Sequence, residues 1–194
     1  MIKKEVLEKL YLRKKHSMQE IAEVLKCSLH KVSYWMDQYN IERRSISEAN
    51  YVKYNPNGDP FKIRTPKTMK EAQLFGMGLG LYWGEGTKAS KNAVRLGNSD
   101  PALLREFMSF LTLMCGVNKG DMKFELQIFE DVNQAEVESL WLKALDINRK
   151  QMYKTRVTST RGNGTYRKKN KNGVMAMYYG NTKLRNRLVD LLPM

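Results

Sequence analysis

The chain has 194 residues and carries 34 Lys and Arg against 20 Asp and Glu, a formal net charge of +14. This length accommodates one domain of ordinary size beside a small one, and so large a positive excess favours a polyanionic partner such as DNA or RNA. The longest mainly apolar run, near residues 74–83, falls far short of the roughly 20 residues that span a bilayer, and the N-terminus has no apolar signal region. Only two cysteines and two histidines are present, which excludes a disulfide framework and a His-rich metal site. We therefore expect a cytoplasmic, nucleic-acid-associated protein with no membrane partner.

Three short helices are predicted near the N-terminus. Apolar residues recur at helical spacing over residues 3–15, Ser17 and Glu20 form the pattern of a capping box, and Ser28 can cap a third helix. The segment "SMQEIAEVLKCSLHKVSYWMDQYNI" resembles the DNA-binding helix-turn-helix of many regulators and homing endonucleases, with Lys26 in place of the turn glycine.

This resemblance implies that residues 1–45 form a DNA-binding module whose third helix enters a major groove. The outward side chains near the start of that helix are then DNA-binding candidates: Ser28, His30, Lys31, Ser33 and Tyr34. The alternative is a three-helix bundle that packs on a neighbour and does not touch DNA.

Beyond this module the composition shifts to Asn, Pro, Gly and Lys. Such a composition is typical of a linker or extended arm, which we predict over residues 46–67. Arg43 and Arg44 just before it are candidates for contact with phosphates or with a minor groove. A merely solvated linker is the alternative.

A helix predicted to begin at Thr68 contains the glycine-rich segment "LFGMGLGLYWGEGTK", residues 74–88. Glycine costs up to about 1 kcal/mol per residue in a helix relative to alanine, so its repeated use needs a reason. Gly76, Gly80 and Gly84 recur every four residues and therefore share one helix face. A face without side chains favours close packing against a second helix.

Glu85 ends this helix between two glycines. A helix C-terminus carries partial negative charge, so a carboxylate there is electrostatically disfavoured. If two such helices pair along their glycine faces, two Glu85 side chains lie side by side, and a divalent cation would relieve their repulsion. Mg²⁺ suits a site built from few carboxylates, waters and a substrate phosphate. We predict a homodimer in which Glu85 binds Mg²⁺.

The segment "GLGLYWGEG" resembles the LAGLIDADG motif of homing endonucleases. The motif's Gly-Leu pair, second alanine, last acid and last glycine correspond to Gly80, Leu81, Gly84, Glu85 and Gly86. Trp83 stands where the motif has its first acid, which is a departure from the pattern.

The resemblance implies an α+β protein: a three-helix helix-turn-helix module followed, over residues 68–194, by a LAGLIDADG-like α/β domain with an antiparallel sheet. Periodicity agrees with the alternation of helices and strands that such a domain has. Helices are predicted at 101–117, 133–147 and 182–192, and strands at 92–100, 123–129, 154–160 and 173–180.

Residues 149–171 contain nine Lys or Arg and no acidic residue. A basic strand-and-loop region can follow a DNA backbone, although a charge run is often only solvated. In the family the saddle-shaped sheet lies in the major groove. The resemblance therefore implies DNA contacts from Arg95, Lys123, Gln127, Arg156 and Arg161 on strands, and the basic run adds Lys168 and Lys169.

The expected function is that of a site-specific, Mg²⁺-dependent endonuclease that cuts double-stranded DNA as a homodimer. Lys88, Lys123 and Lys154 are candidates for stabilising transition-state charge, and we assign Lys154 with Glu85 as catalytic candidates. Two alternatives are a transcription regulator whose LAGLIDADG-like domain binds without cutting, and an RNA-splicing maturase.

Overall fold

The structure is a computed structural model and describes residues 1–159 and 171–193. The chain divides into two compact units, Met1–Pro60 and Phe61–Met194. The fold class is α+β, as predicted, with eight α-helices and a four-stranded mixed sheet in the described part. None of the described helices has the length and apolar character needed to cross a membrane.

The N-terminal unit is helical. Reciprocal hydrogen bonds between Ser17 and Glu20 confirm the predicted capping box, and Ser28 accepts from the backbone N–H of Lys31 at 3.2 Å. Leu7, Ile21, Val32 and Met36 are fully buried in the core of this unit. Its helices are α1 Lys4–Leu7, continued by a π-helical turn Glu8–Arg13, then α2 Met18–Val24, α3 Leu29–Gln38 and α4 Ile46–Tyr54.

The segment predicted as a linker or arm is not without structure, because it begins with α4. Ser45 caps this helix by accepting from the backbone N–H of Glu48 at 3.2 Å. Helix α4 buries none of its residues, so local capping and propensity account for it and core packing does not. The Pro and Gly residues that suggested a linker follow α4, and the first unit extends to Pro60.

The second unit packs helices against one face of the sheet. Trp141, Phe107 and Leu184, on three different helices, are fully buried in the same core as the sheet residues Leu96 and Phe124. The helices are α5 Met69–Glu85, α6 Pro101–Ser109 with a π-helical continuation Phe110–Met114, α7 Gln134–Leu145 and α8 Thr182–Asp190, with single 3-10 turns at Lys119–Asp121 and Arg149–Gln151. The strands are β1 Val94–Asn98, β2 Lys123–Phe129, β3 Arg156–Thr158 and β4 Val174–Tyr179.

The strand order is β1-β4-β2-β3. Strand β4 pairs antiparallel with both β1 and β2, whereas β2 and β3 pair parallel. The prediction of an antiparallel sheet was therefore wrong at one edge. The reason is the connection: α7 carries the chain from β2 to β3, and a crossover of this length lets the second strand run in the same direction as the first.

Side chains alternate between the two faces of this sheet. Val94, Leu96, Phe124, Leu126 and Met177 are buried on the face that joins the helices. We call the opposite side the outer face and define it by the polar residues that alternate with these: Arg95, Lys123, Glu125, Gln127, Arg156 and Tyr178.

Candidate nucleic-acid interface

The outer face contains four of the predicted DNA-binding residues. Arg95 pairs with Tyr178, which pairs in turn with Lys123, so these three form one row across three strands. Gln127 pairs with Arg156 in the parallel ladder. Residues directly opposite each other on neighbouring strands project from the same face, so Arg95, Lys123, Gln127 and Arg156 share one surface. Arg161, Lys168 and Lys169 lie outside the described residues.

Glu125 and Tyr178 stand at the centre of this face, and neither was predicted from the sequence. The Tyr178 hydroxyl donates to Glu125 Oε2 at 2.6 Å, and Arg156 donates to Glu125 Oε1 at 2.8 Å. The alternation of "KFELQIF" gave a signal that could have found Glu125, since it puts Lys123, Glu125 and Gln127 on one side. Tyr178 gave no such signal, because its strand is a nearly continuous apolar run without alternation.

Hydrogen bonding and charge fix the ionisation of this pair. The hydrogen bond from Tyr178, together with the nearby Arg156 and Arg95, lowers the pKa of the Glu125 carboxyl below its ordinary value. Burial, reinforced by the bond to Glu125, raises the pKa of Tyr178 to about 12. The Arg95 guanidinium lies over the Tyr178 ring at 4.9 Å from its centroid. At neutral pH Glu125 is therefore an anion among the cations Arg95, Lys123 and Arg156.

Helix α3 exposes most of its predicted contact residues. Ser28, His30, Lys31 and Tyr34 are exposed, with Tyr34 at 50%. Ser33 differs, because it is half-buried and its hydroxyl accepts from Arg43 at 2.9 Å.

Arg43 and Arg44 are engaged within the first unit. Arg43 forms an ion pair with Asp37, with an N–O distance of 2.6 Å. Arg44 stacks on the Tyr11 ring at 4.1 Å from its centroid, and its guanidinium donates to three backbone carbonyl oxygens. Both arginines line a basic cleft of about 780 Å³ together with Lys14, Lys15 and Lys53. Their first role is to fix the segment that leads into α4.

The glycines of α5 lie on two different faces of the helix. An added Cβ at Gly76, Gly80 or Gly84 would meet nothing within 4 Å, whereas one at Gly78 would lie 2.1 Å from the Phe110 ring. The close approach inside the chain is therefore at Gly78, and the three predicted glycines leave an open face. The exposed Trp83 and Met77 are close to this face on the helix, at 51% and 49% exposed.

Glu85 is the last residue of α5 and is exposed. Within residues 1–159 and 171–193 its carboxylate has no hydrogen-bond or ion-pair partner. The Lys88 ammonium donates to the Trp83 carbonyl oxygen at the same helix end, where a cation offsets the partial negative charge of the helix terminus. The Arg185 guanidinium on α8 donates to the Lys88 carbonyl oxygen and so holds the loop that follows Glu85.

Lys154 is not brought to Glu85 within one chain. Backbone pairing joins Gly86, Leu96, Met177, Phe124 and Met152 in one row across the sheet. Four strand spacings of about 4.8 Å put the ends of this row about 19 Å apart. Glu85 adjoins one end and Lys154 the other, so a Lys side chain and a Glu side chain cannot meet across it. Of the three candidate lysines, the structure brings Lys88 to the helix end that carries Glu85.

The donor set at this helix end suits a hard cation only in part. Glu85 supplies carboxylate oxygens, the type of ligand that Mg²⁺ prefers. Among the described residues no group of three or more His, Cys, Asp and Glu side chains could hold a metal ion. Within the described residues, Glu85 is the carboxylate that one chain brings to the end of α5.

Comparisons of this chain with protein-family models, with curated proteins and with solved structures found no match.

Proposed function

We propose that this chain is a site-specific DNA-binding protein that cuts double-stranded DNA as a Mg²⁺-dependent homodimer, built from a helix-turn-helix module and a LAGLIDADG-like domain. The observation that carries the proposal is the outer face, where Arg95, Lys123, Gln127 and Arg156 share one surface. Three cations and the Glu125 carboxylate give it a net charge of +2. Arginine and glutamine are side chains that read base edges in a major groove, and Lys123 suits a phosphate.

The open face of α5 supports the homodimer. Gly76, Gly80 and Gly84 leave room for a second helix at close range, and exposed apolar side chains flank them. Parallel pairing of two α5 helices along this face would bring the two Glu85 carboxylates together at one end. The isolated Glu85 of a single chain would thereby become half of a two-carboxylate site.

Each residue at this end then has a distinct task. Glu85 would hold Mg²⁺, which when bound supplies Lewis-acid stabilisation of the charge that develops on the phosphodiester. Lys88 would contribute positive charge beside the scissile phosphate. Arg185 would position Lys88 through its hydrogen bond to the Lys88 backbone. Lys154 of the same chain is left out of this arrangement, because it lies at the far side of the sheet.

A non-cleaving transcription regulator is the second candidate. The observation that favours it is the small donor set at the end of α5: among the described residues no group of three or more His, Cys, Asp and Glu side chains could hold a metal ion. The Lys88 ammonium, which binds the Trp83 carbonyl oxygen at this helix end, could offset the charge of paired carboxylates without a metal. The two functions share DNA binding by the outer face and differ in whether bound DNA is cut.

The shared DNA-binding claim is tested on the outer face. Replacing both Arg95 and Lys123 with alanine should weaken binding to duplex DNA, and the slope of log affinity against log salt should fall by roughly 0.9 for each phosphate that the variant no longer neutralises. Lys143 is an exposed lysine on α7, and Lys143→Ala is the matched control. It should leave the affinity and the salt slope unchanged. Equal affinities and slopes for parent and double variant would refute the interface.

A further inference from the structure

Glu125 is out of place on a surface that only tracks phosphates. It is the one acidic residue within the four described strands, and it stands between Lys123 and Gln127 on the outer face. A carboxylate at the centre of a phosphate-binding surface repels the ligand. Its position therefore indicates that the middle of this face meets something other than the DNA backbone.

The Glu125 carboxylate is held in a fixed orientation and is still accessible. Tyr178 fixes Oε2 at 2.6 Å and Arg156 fixes Oε1 at 2.8 Å. Its side chain remains 20% exposed. A carboxylate has about four lone-pair positions, and two of them are used here. The remaining acceptor capacity suits a neutral N–H donor that approaches from the outer side.

Base edges in a major groove offer such donors. Cytosine presents its N4 amino group there, and glutamate and aspartate are the side chains that accept from it. The guanine of the same base pair presents N7 and O6 acceptors, which suit arginine. The Arg156 side chain is 64% exposed and has five N–H donors, so it can bind Glu125 and still donate outward.

We propose that Glu125 is a specificity-determining residue, which accepts a hydrogen bond from the cytosine amino group of one C·G base pair while Arg156 donates to the guanine of that pair. This inference rests on the proposed DNA-binding function. Tyr178 is a positioning residue, because it acts through the Glu125 carboxylate. Lys123 and Arg95 supply affinity for the DNA on either side of Glu125.

The test is selection from a random duplex library by the full-length protein, followed by sequencing of the bound DNA. The parent should enrich a defined sequence that includes a C·G pair. Glu125→Ala should reduce the preference for that pair by roughly 5- to 150-fold, with the preferences at other positions retained. Affinity for non-specific DNA should hold or rise, since a negative charge is removed.

Two further variants test the positioning role of Tyr178 and provide a control for the loss of a carboxylate. Tyr178→Phe keeps the carboxylate but removes its donor at 2.6 Å, so it should weaken the preference at the same base pair by a smaller factor. Glu106→Ala removes an exposed carboxylate from α6, a helix on the other side of the sheet, and should change no preference.

The outcomes distinguish failure of the inference from failure of the proposed function. A parent protein that enriches no sequence would overturn the proposed site-specific binding, and this inference with it. If the parent enriches a sequence and Glu125→Ala and Tyr178→Phe keep its preference at every position, the proposed function stands and the role of Glu125 is refuted. If Glu125→Ala does not fold, Tyr178→Phe alone decides, and an unchanged preference refutes the inference.

Discussion

Lys26, in the turn between α2 and α3, has φ = 48°. This is the left-handed region, which costs an L-residue with a side chain roughly 1–2 kcal/mol and glycine almost nothing. The resemblance to helix-turn-helix segments leads one to expect glycine at this position, and the backbone has the conformation that glycine favours. The first unit therefore carries local strain that one substitution can release.

Lys26→Gly should stabilise the protein by about 0.5–1 kcal/mol, because relief of the strain exceeds the entropy that glycine adds to the unfolded chain. Urea unfolding of the full-length protein measures this as a higher midpoint at an unchanged slope. Glu23→Gly, an exposed position within α2, is the matched control and should destabilise by about 1 kcal/mol. A lower midpoint for Lys26→Gly would show that the turn is not strained.

Residues with local partners were predictable from sequence, and residues with distant partners were not. The capping box predicted at Ser17 and the helix start predicted at Thr68 are confirmed, because each depends on hydrogen bonds between groups three residues apart. Arg44 finds its acceptors 28 to 33 positions away, so no spacing rule could reveal them. Its charge alone suggested a phosphate contact.

Helix α5 shows how an element can have two different small-residue faces. Gly78 is buried because the Phe110 ring occupies the space of a side chain. Gly80 is exposed and has nothing within 4 Å of an added Cβ. The four-residue glycine period correctly indicated a face without side chains. It did not predict that Gly78 packs inward, because Gly78 falls outside the four-residue spacing.

Gly80→Leu should abolish dimerisation and leave the chain folded. The open space at Gly80 accommodates leucine within one chain, whereas a second helix packed closely on the glycine face would clash with it. Analytical ultracentrifugation at micromolar concentration measures the change from dimer to monomer. Gly180→Leu, at another exposed glycine with open space, should stay dimeric. A Gly80→Leu protein that sediments as the parent does would rule out pairing through α5.

The strands were predictable as elements but their arrangement was not. Period-two alternation located β2 at residues 123–129 as predicted, because one side of a half-buried strand is apolar. The order β1-β4-β2-β3 and the parallel pairing of β3 depend on which strand each edge meets. The separation of Lys154 from Glu85 within one chain follows from that order, which the sequence did not reveal.

On the scale of the whole molecule, the cations proposed to bind DNA and the residues proposed to cut it occupy different places. The outer face lies on the sheet, while Glu85 and Lys88 lie at the end of α5 beside the edge strand β1. Under the proposed function, DNA affinity and DNA cleavage would therefore be separable properties of the second unit. A variant at Glu85 would remove cleavage and leave affinity intact.

The most direct measurement is cleavage of a plasmid library with random inserts by the parent and by Glu85→Gln, each with Mg²⁺ and with a chelator. Glutamine keeps the size of the side chain and removes its charge. We predict cuts at a defined sequence by the parent with Mg²⁺ only, and a reduction of cutting by at least about 100-fold in Glu85→Gln, with library binding retained. A parent that binds a defined sequence without cutting it, or a Glu85→Gln protein that cuts as the parent does, would contradict the account.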